Sequence, residues 1–208
     1  MSYMLVGMTV TQGNGRAGAA EEAGRGERTR ALILEASRQL FLQRGFAGTP
    51  INAITEACGI SRAGFYTYFK DKEEIFAVLG ESAYRDVMAV LTRLDRLPRP
   101  FTAEDLRGWV GEYFAFMDRH GAFVFGAWHS SPDREAFRRS RNRTVTRSAF
   151  KLGQAIVGPG DHSPEVVGIA VLGMMDRAWH AEQIQAVAVE RDEAISALAD
   201  MILRLAHQ

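Results

Sequence analysis

Between Thr29 and Gly80, helix start and stop signals stand so close together that only short helices fit between most of them. Ile33, Ala36, Leu40 and Phe41 recur at three- and four-residue spacing, and Gly45 follows as a left-handed stop, which predicts a first helix. Thr49 before Pro50 reads as an N-cap with proline at the first helical position, after which Ile51, Ile54 and Ala57 share a face until Gly59. This second helix is barely two turns long. Ser61 caps a third segment, Arg62 to Phe69, in which Phe65 and Phe69 lie four apart and face the same way. Asp71 and Glu74 form an Asp-x-x-Glu cap that starts a fourth helix carrying Ile75, Phe76 and Leu79. Two short helices joined at a glycine turn and packed on a longer one form a helix-turn-helix, with the third segment as recognition helix.

A segment from Ser61 to Phe69 spans about 13 Å at 1.5 Å per residue, close to the roughly 12 Å width of a major groove. With both phenylalanines turned to the core, Arg62, Ala63, Tyr66 and Thr67 are left facing outward. Arg62 then suits a bidentate contact to guanine, the commonest direct readout. Thr67 and Tyr68 are the next candidates to read bases. Ala63 and Gly64 let the backbone approach closely, and Lys70 and Lys72 stand just past the helix, placed for phosphates. Thr49 is a cap first, and its hydroxyl or the free amides beside it suit a phosphate second.

The run Ile33-Leu34-Glu35-Ala36, Leu40-Phe41, Gly45-Phe46, Thr49, Ile54, Ala57, Gly59-Ile60-Ser61, Phe65-Tyr66, Phe69-Lys70 and Lys72-Glu73-Glu74 resembles the amino-terminal domain of the TetR family of bacterial regulators. The likeness covers about 50 residues, with Thr55 and Tyr68 as mild departures from the family pattern. It implies an all-α homodimer: an amino-terminal three-helix helix-turn-helix head on double-stranded operator DNA, and a carboxy-terminal helical domain that binds a small molecule and dimerises. It also implies that the Tyr66 hydroxyl reaches a phosphate. The expected organisation is a flexible tail over residues 1–26, a DNA-binding domain over 27–80 and a ligand-binding and dimerisation domain over 81–208.

Composition narrows the alternatives. The 208 residues carry 25 basic and 25 acidic side chains, so bulk charge does not argue for nucleic acid and local geometry must. One cysteine, Cys58, excludes a disulfide framework and is expected to be a small buried hydrophobe. The longest apolar run, Val166 to Met175, is far short of the roughly 20 residues that span a bilayer. No charged region precedes an apolar stretch at the amino terminus, so a cytoplasmic product without membrane attachment is expected. Gly13, Gly15 and Gly18 spell a dinucleotide-type GxGxxG, but Gly24 and Gly26 interrupt where a helix and a second strand should follow. The histidines lack metal-protease spacing and no serine sits in a GxSxG elbow, so neither catalysis, a metal nor a cofactor is expected.

Past Gly80, helices are expected at 81–94, 102–120, 134–157, 163–185 and 191–206, with Pro98, Pro100, Pro132 and Pro159 marking breaks. Ile195, Leu198, Ile202 and Leu205 make an apolar stripe on the last of these, and Val166, Ile169, Ala170 and Gly173 offer a small-residue face on the one before. Taken with the resemblance, this predicts dimerisation through the last two helices. Trp109, Tyr113, Phe116 and Met117, then Phe123, Phe125, Trp128 and His129 in the following segment, with Met174, Met175 and Trp179 on another helix and Asn142, Asp176 and His180 as further polar residues, place polar tips among apolar bodies, as in a ligand cavity. Arg134 to Lys151 holds seven basic residues against one acid. The run reads first as a solvated helix face, yet Arg134, Arg138, Arg141, Thr144 and Ser148 share one side of the helix. That side suits a hydrophobic effector with an anionic head, such as a fatty acyl thioester of coenzyme A or an aromatic acid, with a neutral or cationic lipophilic drug as the alternative. The function expected is a ligand-responsive repressor, with a regulator that needs no ligand, or an activator, as the alternative.

Overall fold

The computed structural model describes residues 14–130, 135–157, 162–183 and 188–206. Among these, eight helices are present and no strand. The first, α1 (Asn14–Arg44), begins well before Thr29, so about half of the expected tail is helical. The Ala19-Ala20-Glu21-Glu22-Ala23 run consists of strong helix formers, and a helix already packed at its far end extends cheaply, which outweighs the glycines at 15, 18, 24 and 26. The GxGxxG stretch is therefore helix from Asn14 onward. Gly45, at φ 70°, ends α1 with its N–H bonded to the Phe41 carbonyl at 3.0 Å.

Helix α2 (Ile51–Cys58) is capped by Pro50 rather than by Thr49. Gly59, at φ 64° and ψ 30°, makes the turn. Helix α3 (Arg62–Tyr66) is shorter than the expected Arg62–Phe69, and its end tightens into a turn in which the Tyr68 and Phe69 N–H groups both bond the Phe65 carbonyl. Ser61 caps it as expected, accepting from the Gly64 N–H at 3.0 Å. Asp71 caps α4 (Lys72–Leu94), accepting from the Glu74 N–H at 2.7 Å, while the Glu74 carboxylate accepts from the Lys70 N–H. Helix α4 runs unbroken through Gly80, so the expected fourth and fifth helices are one element that leaves the head and enters the next layer.

Thr102 and Asp105 exchange hydrogen bonds in a capping box that starts α5 (Ala103–Ser130). This helix is longer than expected and carries Phe123 and Phe125 itself. Helices α6 (Glu135–Ile156), α7 (Pro164–Gln183) and α8 (Arg191–Ala206) match their expected positions. Two cores result. Ile33, Phe41, Phe46, Ile54, Phe65, Phe69, Ile75, Phe76 and Leu79 are buried together in the head, and a larger cluster runs from Val87 to Ile202. In the second layer α6 and α7 pack backbone to backbone. A Cβ on Gly168 would stand 1.8 Å from the Ala149 carbonyl oxygen, and one on Gly153 1.7 Å from that of Pro164. Arg191 ties α8 to α5 and α7 through Asp118 at 2.7 Å and Glu182 at 3.0 Å.

Candidate functional site

Two places in the molecule can hold a partner: the outer face of α3, and a cavity in the second layer. On the first, Arg62 donates to Asn52 Oδ1 at 2.7 Å and to the Tyr66 hydroxyl at 3.1 Å, and its guanidinium lies over the Tyr66 ring. One arginine thus braces α2 against α3 while remaining exposed, as does Tyr66. Asn52 was not singled out from the sequence, since its pairing with Arg62 spans ten residues and depends on the angle between the two helices. Ala63 and Thr67 are exposed beside them, the Thr67 hydroxyl turned back to the Ala63 carbonyl at 3.4 Å. Gly64 has a second reason to be glycine, because a Cβ there would stand 3.3 Å from the Ser61 Oγ that caps the helix. Lys70 is exposed, and Tyr68 is half-buried against the head core near Gly26.

Two expected phosphate contacts are structural instead. Thr49 is fully buried, and its hydroxyl donates to the carbonyls of Gly45 and Leu40. Pro50 occupies the N-cap position, where no side chain caps the helix, and the threonine one residue earlier closes the loop from inside. Lys72 donates to the carbonyls of Phe46 and Thr49 at 2.7 and 3.2 Å and stands over the Phe46 ring. The loop entering α2 leaves carbonyls without helical partners, and this ammonium satisfies them. Cys58 is half-buried, with its thiol pushed up by burial and turned toward the Leu32 carbonyl.

The second place is a cavity of about 650 Å³ walled by α4, α5, α6 and α7. Of the expected lining residues, Tyr113, Phe116 and Phe123 border it. Trp109, Met117, Met175 and Trp179 do not. They are buried core, with the Trp109 and Trp179 N–H groups bonded to the Val90 carbonyl and to Asp118. Asn142 points outward, one position round the helix from Arg141, and the side chains of Trp128 and His129 lie outside the described residues. Arg141, Thr144 and Ser148, the polar face expected on α6, line the cavity together with Val145. Arg134 lies outside the described residues. Arg138, Arg143 and Arg147 are exposed, and Arg139 and Lys151 pair with Glu135 and Asp95. Asp176 also reaches the wall, accepting from the Tyr113 hydroxyl at 2.6 Å. Burial holds its carboxyl up at about 6, and burial with the neighbouring carboxylate pushes the Tyr113 phenol well above its usual range.

Residues 33–79 match the family model described as bacterial regulatory proteins, tetR family. The head is a TetR-family domain. Over 55 residues the chain is 36% identical to the HTH-type transcriptional regulator AcrR of Shigella flexneri, a match covering 26% of each chain. The match thus spans about a quarter of the length of such curated relatives. Solved structures extend the likeness past the TetR-family head. PfmR, a TetR family transcriptional regulator from Thermus thermophilus, superposes with a TM-score of 0.62 at 23% identity over 83% of this chain and 97% of its own. SmeT, solved as a complex with triclosan, does so with a TM-score of 0.63 at 20% identity over 85% and 90%. At these identities it is the fold that is shared.

The TetR-family head and the cavity touch through two rings. Phe76 belongs to the head core and also lines the cavity, and Phe123 of α5 packs on it with ring centroids 4.6 Å apart. Gly80 makes room for this contact, since a Cβ there would meet Phe123 at 3.1 Å. Phe76 in turn meets Phe46, the ring beneath Lys72.

Proposed function

We propose that this chain is a transcriptional repressor that binds a palindromic operator as a homodimer and releases it when a small hydrophobic effector enters the cavity. The observation carrying this reading is the shared wall: Phe76 and Phe123 belong at once to the packing of the head and to the lining of the cavity. An occupant that moves either ring bears on the seat of α2 and α3. Arg62 is the base-reading side chain, held at the exposed face by Asn52 and Tyr66 so that little freedom is lost on contact. Tyr66 and Lys70 are the phosphate contacts. Exposed apolar residues on the last two helices, Val166 on α7 and Met201 on α8, support a twofold interface there.

For the effector, Arg141 with Thr144 and Ser148 supports an acidic head on an apolar body, as in an acyl thioester of coenzyme A or an aromatic acid. The DNA reading is tested by mobility shift on fragments from upstream of the protein's own gene and its neighbours. A sequence-selective, salt-sensitive shift is expected, and Arg62→Ala costs about 1–3 kcal/mol and relaxes preference at one position. No selective shift on any fragment contradicts it.

A further inference from the structure

Several acids in the second layer are matched to bases across helix boundaries. Asp95 faces Lys151, Glu112 faces Arg93, and Asp118 and Glu182 share Arg191. Asp176 is treated differently. Tyr113 donates to its Oδ1, and among the described residues no lysine or arginine pairs with it. Asp176 is also part of the cavity wall.

This is an odd use of a half-buried acid if structure were its whole purpose. A carboxylate has room for about four hydrogen bonds, and in an apolar wall each one left unmade is costly. Asparagine would accept from Tyr113 without placing a charge there. Asp118 shows what pairing does in the same fold: the Arg191 guanidinium beside it holds its carboxyl below the usual range, whereas burial holds Asp176 near 6. Glu81 also lines the cavity, so among the described residues its charged groups are two acids and one base, Arg141. Beside the Arg141 end, which suits an acidic head, the wall thus offers a place for positive charge.

We propose that Asp176, with Tyr113 fixing one of its oxygens, is a second polar subsite that selects effectors bearing a protonated amine on an apolar body. The inference rests on the reading of the cavity as the effector site. The Tyr113 hydroxyl sets the carboxylate rotamer, and the ammonium of the guest takes the open oxygen while its apolar body lies along Phe116 and Phe123. The Arg141 side chain on α6 takes any acidic group the same molecule carries, so the cavity accepts dipolar amphiphiles as well as simple amines.

The test is calorimetry on the full chain with three probes sharing one skeleton: 4-phenylbutylamine, 4-phenylbutan-1-ol and 4-phenylbutanoic acid. At pH 7.5 the amine is expected to bind at least fivefold more tightly than the alcohol. Asp176→Asn abolishes that preference and weakens the amine about tenfold, while the alcohol changes less than twofold. Tyr113→Phe keeps the carboxylate, so the preference for the amine persists. An amine no tighter than the alcohol, or an Asp176→Asn variant that weakens both alike, overturns the subsite. If the alcohol and acid bind and the amine does not, this inference alone falls. If none of the three binds, it falls together with the effector cavity.

Discussion

The head and the second layer handle their polar groups in opposite ways. In the head, Thr49, Ser61, Asp71 and Lys72 are each spent on a backbone group within reach, and the exposed Arg62 and Tyr66 brace each other. The face around α3 is thus set before any partner arrives, as a surface that must meet a rigid duplex should be, although Ser37 Oγ and Arg38 Nε on α1 are buried without a hydrogen-bond partner. The second layer is clamped around its rim by Arg191 and Lys151, while at its centre the side chains of Asp176, Arg141, Thr144 and Ser148 border open space. The part that presents a shape braces its contact side chains against one another, and the part that receives one sets polar side chains along a cavity wall.

Substitutions can break or sharpen this contrast. The largest effect is expected at Gly168. Its Cβ would collide with the Ala149 carbonyl, so Gly168→Ala should cost about 3 kcal/mol or more in urea unfolding. Gly173→Ala, on the same helix but beside open space, should change stability by less than about 1 kcal/mol. Similar losses at both would mean that the cavity is closed in solution.

Next is Asp176. Its folded pKa lies above the unfolded value, so its contribution to stability is fullest below pH 4 and declines as pH rises through about 6. Asp176→Asn should therefore stabilise the protein at pH 8, by up to about 3 kcal/mol at roughly 1.36 kcal/mol per pKa unit. The gain should shrink toward pH 4, as read from urea midpoints at both pH values. A pH-independent difference would show the carboxylate to be well solvated, and a loss on substitution that grows as pH rises would show it to be paired.

Lys72→Ala should destabilise the head by about 2 kcal/mol, the usual worth of charged hydrogen bonds to buried carbonyls. Were Lys72 a phosphate contact, the substitution would leave the melting temperature unchanged and lower only the salt slope of DNA binding. The smallest effect is Ser61→Ala, a lost cap worth about 1 kcal/mol, seen as a lower unfolding midpoint in denaturant.

How much was legible in the sequence follows the same division. Gly45, Gly59, Ser61 and Asp71 announce their roles because caps and left-handed turns are local chemistry, readable within four residues. Thr49 and Lys72 misled because their residue types fit a cap and a phosphate contact, while their partners lie across the fold, Lys72 being 23 residues from Thr49. The α6 face of Arg141, Thr144 and Ser148 was visible as helical spacing, and the structure turns it inward. Trp109 and Trp179 were placed in the cavity on residue type, but each spends its N–H on a fixed partner and fills core. Asn52 carried no signal, and the Phe76–Phe123 contact joins residues 47 positions apart. The early start of α1 was missed because four glycines outweighed the alanines between them in a local reading.

The account turns on one coupling: what occupies the cavity must be felt at α3. Fluorescence anisotropy of the full chain, titrated onto the fragment selected by mobility shift, measures it directly. The titration is run at fixed salt with and without saturating 4-phenylbutylamine. Since coupling energies between linked sites are typically about 1–3 kcal/mol, DNA affinity should fall at least fivefold with the amine present and recover in Asp176→Asn. An unchanged affinity, under conditions where calorimetry shows the amine bound, would contradict the account.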